Sequence, residues 1–197
     1  MSSISDEGIL KNIGRYVQLE SEEIEAFRSI LLPRLLKKKE YLLRPGQICE
    51  NQTYVVSGAL RNFYVSRDGA EHTLQFAIDD WFISDFSSYV QKEPATLFIE
   101  AIEDSILLQM SHDRVERLCE DHPKFERFFR LVAQKAFAFS QRRVLDNLGL
   151  SARERYESFN DLYPEIVRRV PQYTLASYLG MTPEFLSKIR KRIAQEG

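Results

Sequence analysis

The sequence predicts an α+β fold: an N-terminal antiparallel β-roll, jelly-roll-like and flanked by helices, then one long helix, then a C-terminal helix-turn-helix. Three observations carry this. Short apolar–polar alternations separated by turn residues recur from about Glu40 to Met110, a helical apolar period runs from Pro123 to about Leu148, and Val170–Ile193 reads as two short helices joined at a glycine. The expected units are residues 1–122 for the helices and roll, 123–148 for the long helix and 149–197 for the helix-turn-helix.

The first 36 residues read as helical. Ile9, Ile13, Tyr16 and Val17 share one face over residues 5–20, and Ser21 then caps a helix with Glu22 and Glu23 in its first turn, so residues 5–36 are expected as helical lead-in. Lys37–Lys39 is a solvated charge run. In the alternating region, Arg44-Pro45-Gly46 marks a turn, Gly58 breaks a pair of strands, Asp68-Gly69 forms a hairpin, and two more strands flank Glu103-Asp104. Helix resumes after Met110 and breaks near Asp121-His122-Pro123.

The long helix carries Phe125, Phe129, Val132, Ala136 and Phe139 at 4-3-4-3 spacing, an a/d-like seam, with a second apolar row of Phe128, Leu131, Ala138 and Leu145 beside it. Two apolar faces need two covers, the chain's own roll and a second copy of the same helix, so a homodimer is expected. Asn147–Ser151 is read as a hinge, followed by a helix with Ser151 and Glu154 as a capping box.

In the last segment Leu175, Ala176 and Leu179 form the inner face of one helix and Leu186 and Ile189 that of the next. Gly180 sits at the turn, and Thr182-Pro183-Glu184 is a helix start. Residues 168–197 hold six basic against two acidic groups, a net of +4, which leaves −6 of the chain's −2 to residues 1–167. A basic tail on an acidic body suits a module that binds double-stranded DNA through its phosphates. Glu184 is the candidate to accept from cytosine and Lys188 to donate to guanine or phosphate; Ser187 and Lys191 are further base-edge candidates. Arg190, Arg169, Thr182, Gln172 and Thr174 are candidates to hold the DNA backbone.

Length and composition agree with a folded protein: 197 residues, 44% hydrophobic, with two cysteines, Cys49 and Cys119, too few for a disulfide framework or a four-cysteine metal site. The polar N-terminus and the lack of a long apolar run lead us to expect a cytoplasmic protein with no membrane partner. His72, His112 and His122 show no ligand spacing, so neither a metal nor catalytic residues are expected and no cofactor is assigned.

Gly46, Gly58 and Gly69 spaced through short strands, then a long helix and a terminal helix-turn-helix, resemble the CRP/FNR family of bacterial transcription regulators over roughly residues 10–193. The resemblance implies a cyclic-nucleotide-binding-type roll, a dimerisation helix, a winged-helix reader and RNA polymerase as a possible partner. In nucleotide-binding members a Gly-Glu pair takes the ribose and an Arg-Ser or Arg-Thr pair takes the cyclic phosphate. Here Ser84-Asp85 and Ala95-Thr96 stand at those places, and the arginine is missing. A buried phosphate without a bidentate cation is costly, so cyclic AMP is not the expected effector. Ser84, Asp85, Phe86, Thr96 and Trp81 are left as an expected pocket for an unknown small molecule. Two departures concern the reader: Pro183 replaces a base-reading arginine of some relatives, and with the sequence ending at Gly197 a short or absent wing is expected. The alternatives are a β-roll ligand-binding or protein-interaction module whose tail does not read DNA, and a cupin-like metalloenzyme, for which two histidines and a carboxylate would have to converge.

Overall fold

Two four-stranded antiparallel sheets face each other across an apolar interior in the computed structural model, which describes residues 4–196. In chain order the elements are α1 (Glu7–Gly14), α2 (Ser21–Ile30), β1 (Leu32–Leu36), β2 (Tyr41–Leu43), β3 (Asn51–Ser57), β4 (Ala59–Val65), β5 (Glu71–Ile78), β6 (Phe82–Ile83), α3 (Phe86–Gln91), β7 (Phe98–Ala101) and β8 (Ser105–Ser111). The helical part continues with α4 (His112–Asp121), α5 (Lys124–Gly149), α6 (Ala152–Leu162), α7 (Pro164–Arg169), α8 (Gln172–Tyr178) and α9 (Pro183–Glu196).

The strand order is β1-β8-β3-β6 in one sheet and β2-β7-β4-β5 in the other. Alternation sends Leu60, Val55, Ile99 and Leu107 inward, where they form the roll's core. Residues 32–36, expected as helix, are instead strand β1. Leu32-Pro33-Arg34-Leu35-Leu36 pairs residue for residue with β8, and as an edge strand it tolerates the missing N–H of Pro33. The second helix starts at Ser21, so its cap is Glu20 rather than Ser21; the Glu23 carboxylate accepts from the Glu20 backbone N–H at 2.7 Å.

A second core lies outside the β1-sheet. Ile9, Ile13, Phe27, Val115, Leu118, Phe125 and Phe128 are buried together there, with Phe27 stacked on Phe125 at 5.4 Å. The third core joins the C-terminal helices to the roll. Ala59, Phe76 and Ile102 of the β4–β5 side are buried with Phe159, Ile166, Leu175, Ala176, Tyr178 and Leu186. Phe76 and Tyr178 meet at 5.2 Å, and Trp81 packs edge-on against Tyr163 and Phe139.

At Gly58 the turn from β3 to β4 requires φ of +112°, and an added Cβ would sit 2.7 Å from the Ser105 Cα. Gly69 also has positive φ, +85°, but open space around it. Gly58→Ala should therefore lower the stability by about 2 kcal/mol or more, since backbone strain and a clash with main chain add, whereas Gly69→Asn should cost less than about 1 kcal/mol. Urea midpoints of the two variants check this ordering.

Candidate nucleic-acid interface and sensor site

The helix pair at the C-terminus closes as its sequence dictates. Leu175, Ala176, Leu186 and Ile189 are buried between α8, α9 and the helices beneath them. Gly180 takes φ of +68°, and the Gly180 and Met181 N–H groups donate to the Ser177 and Ala176 carbonyls, ending α8. Thr182 then caps α9: its hydroxyl accepts from the Phe185 N–H at 3.2 Å, and Pro183 occupies the first helical position.

Opposite Leu186 and Ile189, the stripe Glu184–Lys188–Lys191 faces solvent along the helix, flanked by half-buried Ser187 and exposed Phe185 and Arg192. The Glu184 carboxyl is held below its ordinary range by its own backbone N–H and by the Thr182 hydroxyl, so it is an acceptor at neutral pH. Lys188, Arg190, Lys191 and Arg192 make no ion pair among the described residues. At about 1.5 Å per residue, α9 is roughly 21 Å long, a size a major groove admits.

The remaining backbone-holding candidates divide. Gln172 is partly exposed and donates to the Pro183 carbonyl at 3.2 Å, tying the two helices. Thr174 is buried, its hydroxyl donating to the Pro171 carbonyl at 2.6 Å. Arg169 is turned to the roll, where it pairs with Glu103 at 2.7 Å and with Asp79. Thr174 and Arg169 are thus spent on the fold, a choice that residue type alone did not reveal. Phe185 and Tyr173, both exposed, were missed, although a large apolar residue at an outward helical position was visible in the sequence.

The sensor candidates are not grouped around one cavity. Asp85 is buried, and its carboxylate accepts from the Ser88 N–H at 3.2 Å and from the Thr96 and Leu97 N–H groups at 3.1 and 3.2 Å. It therefore caps α3 and fastens the following loop, with its acceptors consumed by backbone. Phe86 and the Thr96 side chain face solvent, and Trp81 lies against α5 and the helices after it. Ser84 offers its backbone carbonyl to Asn62, 3.5 Å away. Asn62, on the inward face of β4 with Leu60, also donates to Gln75 at 3.3 Å, while its Oδ1 is buried without a partner among the described residues. Strand alternation placed Asn62 inside, and this signal was passed over in the sequence.

The long helix is also used differently from the expected seam. Phe125 is buried in the chain's own core and Phe139 packs on Trp81 and Tyr163. Phe129 and Val132 are half-buried against that same core, and only Ala136 of the five is exposed. The free apolar residues lie roughly 120° further round the helix: Phe137 is 65% exposed, Val144 57%, Leu145 64% and Leu148 81%. The helix also continues through Gly149, which confines the break after it to Leu150-Ser151.

Because Asp85 answers three backbone donors, Asp85→Ala should lower stability by about 2–4 kcal/mol. Chemical denaturation checks this, with loss below about 1 kcal/mol excluding the anchoring role.

Residues 33–122 match the model of the cyclic nucleotide-binding domain. The transcriptional activator protein Anr of Pseudomonas aeruginosa is 25% identical over 177 residues, covering 83% of this chain and 71% of that protein. Among solved structures, FixK2 from Bradyrhizobium japonicum superposes with a TM-score of 0.73 at 20% identity, over 85% of this chain and 86% of that one. A putative transcriptional regulator of the CRP/FNR family from Eubacterium rectale gives 0.69 at 20% identity, over 91% and 85%. Roll, long helix and helix-turn-helix occur in the order the residues dictate, and in this the chain is similar to the CRP/FNR family of transcription regulators.

Proposed function

We propose that this protein binds a near-palindromic operator as a homodimer, placing the α9 helices of two copies in successive major grooves about 34 Å apart. The observation that carries the reading is the stripe Glu184–Lys188–Lys191, a row of exposed polar side chains whose lysines have no ion-pair partner among the described residues, on a helix whose opposite face is locked into the core. Glu184 is suited to accept from cytosine N4 and Lys188 to donate to guanine. Phe185 is suited to meet a thymine methyl. Lys191, Arg190, Gln172 and Thr182 serve the phosphates, with Ser187 at the groove edge. Regulation of transcription in the cytoplasm, with RNA polymerase as a partner, is the activity this reading implies.

The second copy is assigned to the outward face of α5. Phe137, Val144 and Leu148 recur at seven- and four-residue steps with Gln141 between them, a coiled-coil seam with one polar position. Asp85, at the place of the ribose-binding glutamate, is taken up by three backbone N–H groups, which argues against cyclic AMP held in the manner of nucleotide-binding relatives.

Selection from random duplexes should enrich a two-fold symmetric site, and Lys188→Ala should weaken binding to it by about 1–3 kcal/mol. A failure to enrich any symmetric site would instead favour a roll module that does not read DNA. In sedimentation experiments Phe137→Glu with Leu148→Glu should give a folded monomer, whereas a wild-type monomer at micromolar concentration contradicts the assigned face.

A further inference from the structure

Three consecutive residues in the turn between β5 and β6 each hold a different part of the molecule. Asp79 accepts from the Gly58 N–H at 3.0 Å and pairs with Arg169 of α7. Asp80 is held from the N-terminal side of the chain. Its carboxylate accepts from the Asn12 amide of α1 at 2.7 Å and from the Tyr54 hydroxyl at 2.9 Å, and it pairs at 2.6 Å with Arg15, the residue after α1. The Asn12 amide also donates to the Asp80 carbonyl at 3.2 Å. Trp81 lies edge-on to Phe139 of α5 and to Tyr163, the residue between α6 and α7.

The middle residue of the three is strained. Asp80 has φ of +70°, in the left-handed region that favours glycine. Glycine would adopt it freely, whereas the aspartate is kept there by its surroundings: three side chains donate to its carboxylate. Backbone bonds seat the same turn on β3, since the Asp80 N–H donates to the Val55 carbonyl and the Val55 N–H to the Trp81 carbonyl, both at 2.9 Å. The fit of α1 beside it is close, because a Cβ added at Gly8 would meet the Tyr54 hydroxyl oxygen at 2.9 Å. Ile9 and Ile13 of α1 belong to one core and Ile166 of α7 to another, and no hydrogen bond or ion pair joins α1 to α7 among the described residues. The 79–81 turn is therefore the polar link between them.

We propose that Asp80 is a positioning residue for the reader: α1, through Asn12 and Arg15, holds the turn in its strained form, and that form presents Asp79 to Arg169 and Trp81 to Tyr163. Loosening α1 at this point frees α7, and the helix-turn-helix that follows it loses part of its anchorage to the roll. The N-terminal helix is then a place from which the reader's pose is altered without anything entering the roll interior. The effect belongs to the free protein, so it does not depend on the operator reading, which site selection tests on its own.

Hydrogen exchange of the full chain, read by mass spectrometry, tests the proposal. Arg15 is about half exposed, so Arg15→Ala spares the core. In that variant the amides of α7 and Val170 should exchange at least about fivefold faster, the lower end of ordinary coupling between sites, while those of β8 keep their rates. Arg15→Lys should restore most of the protection. Asp80→Gly suits the +70° backbone without strain but offers no carboxylate, so it should speed the same amides by at least as much. Adding Arg15→Ala to it should then change nothing further, because both act through one contact. Three results overturn the proposal: faster exchange confined to residues 4–20; faster exchange throughout the chain, β8 included, which makes Asp80 a contributor to overall stability alone; or effects of Arg15→Ala and Asp80→Gly on α7 that multiply as independent changes do.

Discussion

Strand β5 ends its sheet, and an edge strand exposes backbone donors and acceptors that must be covered. Here the cover is not another strand. The Thr73 N–H donates to the Ser177 hydroxyl at 2.9 Å, that hydroxyl donates to the Glu71 carbonyl at 2.7 Å, and Arg143 takes the Thr73 and Leu74 carbonyls. One serine of α8 and one arginine of α5 thus close the roll's edge. The same Arg143 also bonds the Tyr178 carbonyl, so edge, long helix and reader share one guanidinium.

Packing repeats the arrangement in apolar form. Phe76 of β5 and Tyr178 of α8 belong to one core, and burying each such ring is worth about 1.5–3 kcal/mol, an upper estimate given the unfolded reference. Arg169, paired with Glu103 and Asp79, adds a polar tie from α7 to the roll. What the three cores leave uncovered is chemically distinct: an apolar stripe on α5, and a basic stripe on α9. On the proposed reading the first suits a second copy of the chain and the second suits nucleic acid.

Much of this was legible in the residues. Period-two runs around Gly58 and Asp68-Gly69 gave strands β3 to β5, and Gly180 with Thr182-Pro183 marked the reader's turn, because φ > 0 and helix starts restrict residue choice locally. The Ser151–Glu154 capping box formed as read. Strand β1 was missed because Leu32-Pro33-Arg34-Leu35-Leu36 lacks alternation and exists through its pairing with β8, a contact about seventy residues away in sequence. The row expected as the α5 seam reads ambiguously for a related reason: both sides of the helix are apolar, and only the folded chain shows that Phe125 and Phe139 are used internally. Among the site residues, Asp85, Thr174 and Arg169 have the right chemistry for ligands, but each is engaged by a partner that spacing does not disclose.

On the proposed reading two copies of α9 are presented at a fixed separation to one face of the duplex. Hydroxyl-radical footprinting on a selected operator tests it most directly. Two protected half-sites on one face are expected, centred about 10–10.5 base pairs apart, as two helices in successive major grooves require. A single half-site, or protection without two-fold symmetry, would contradict it.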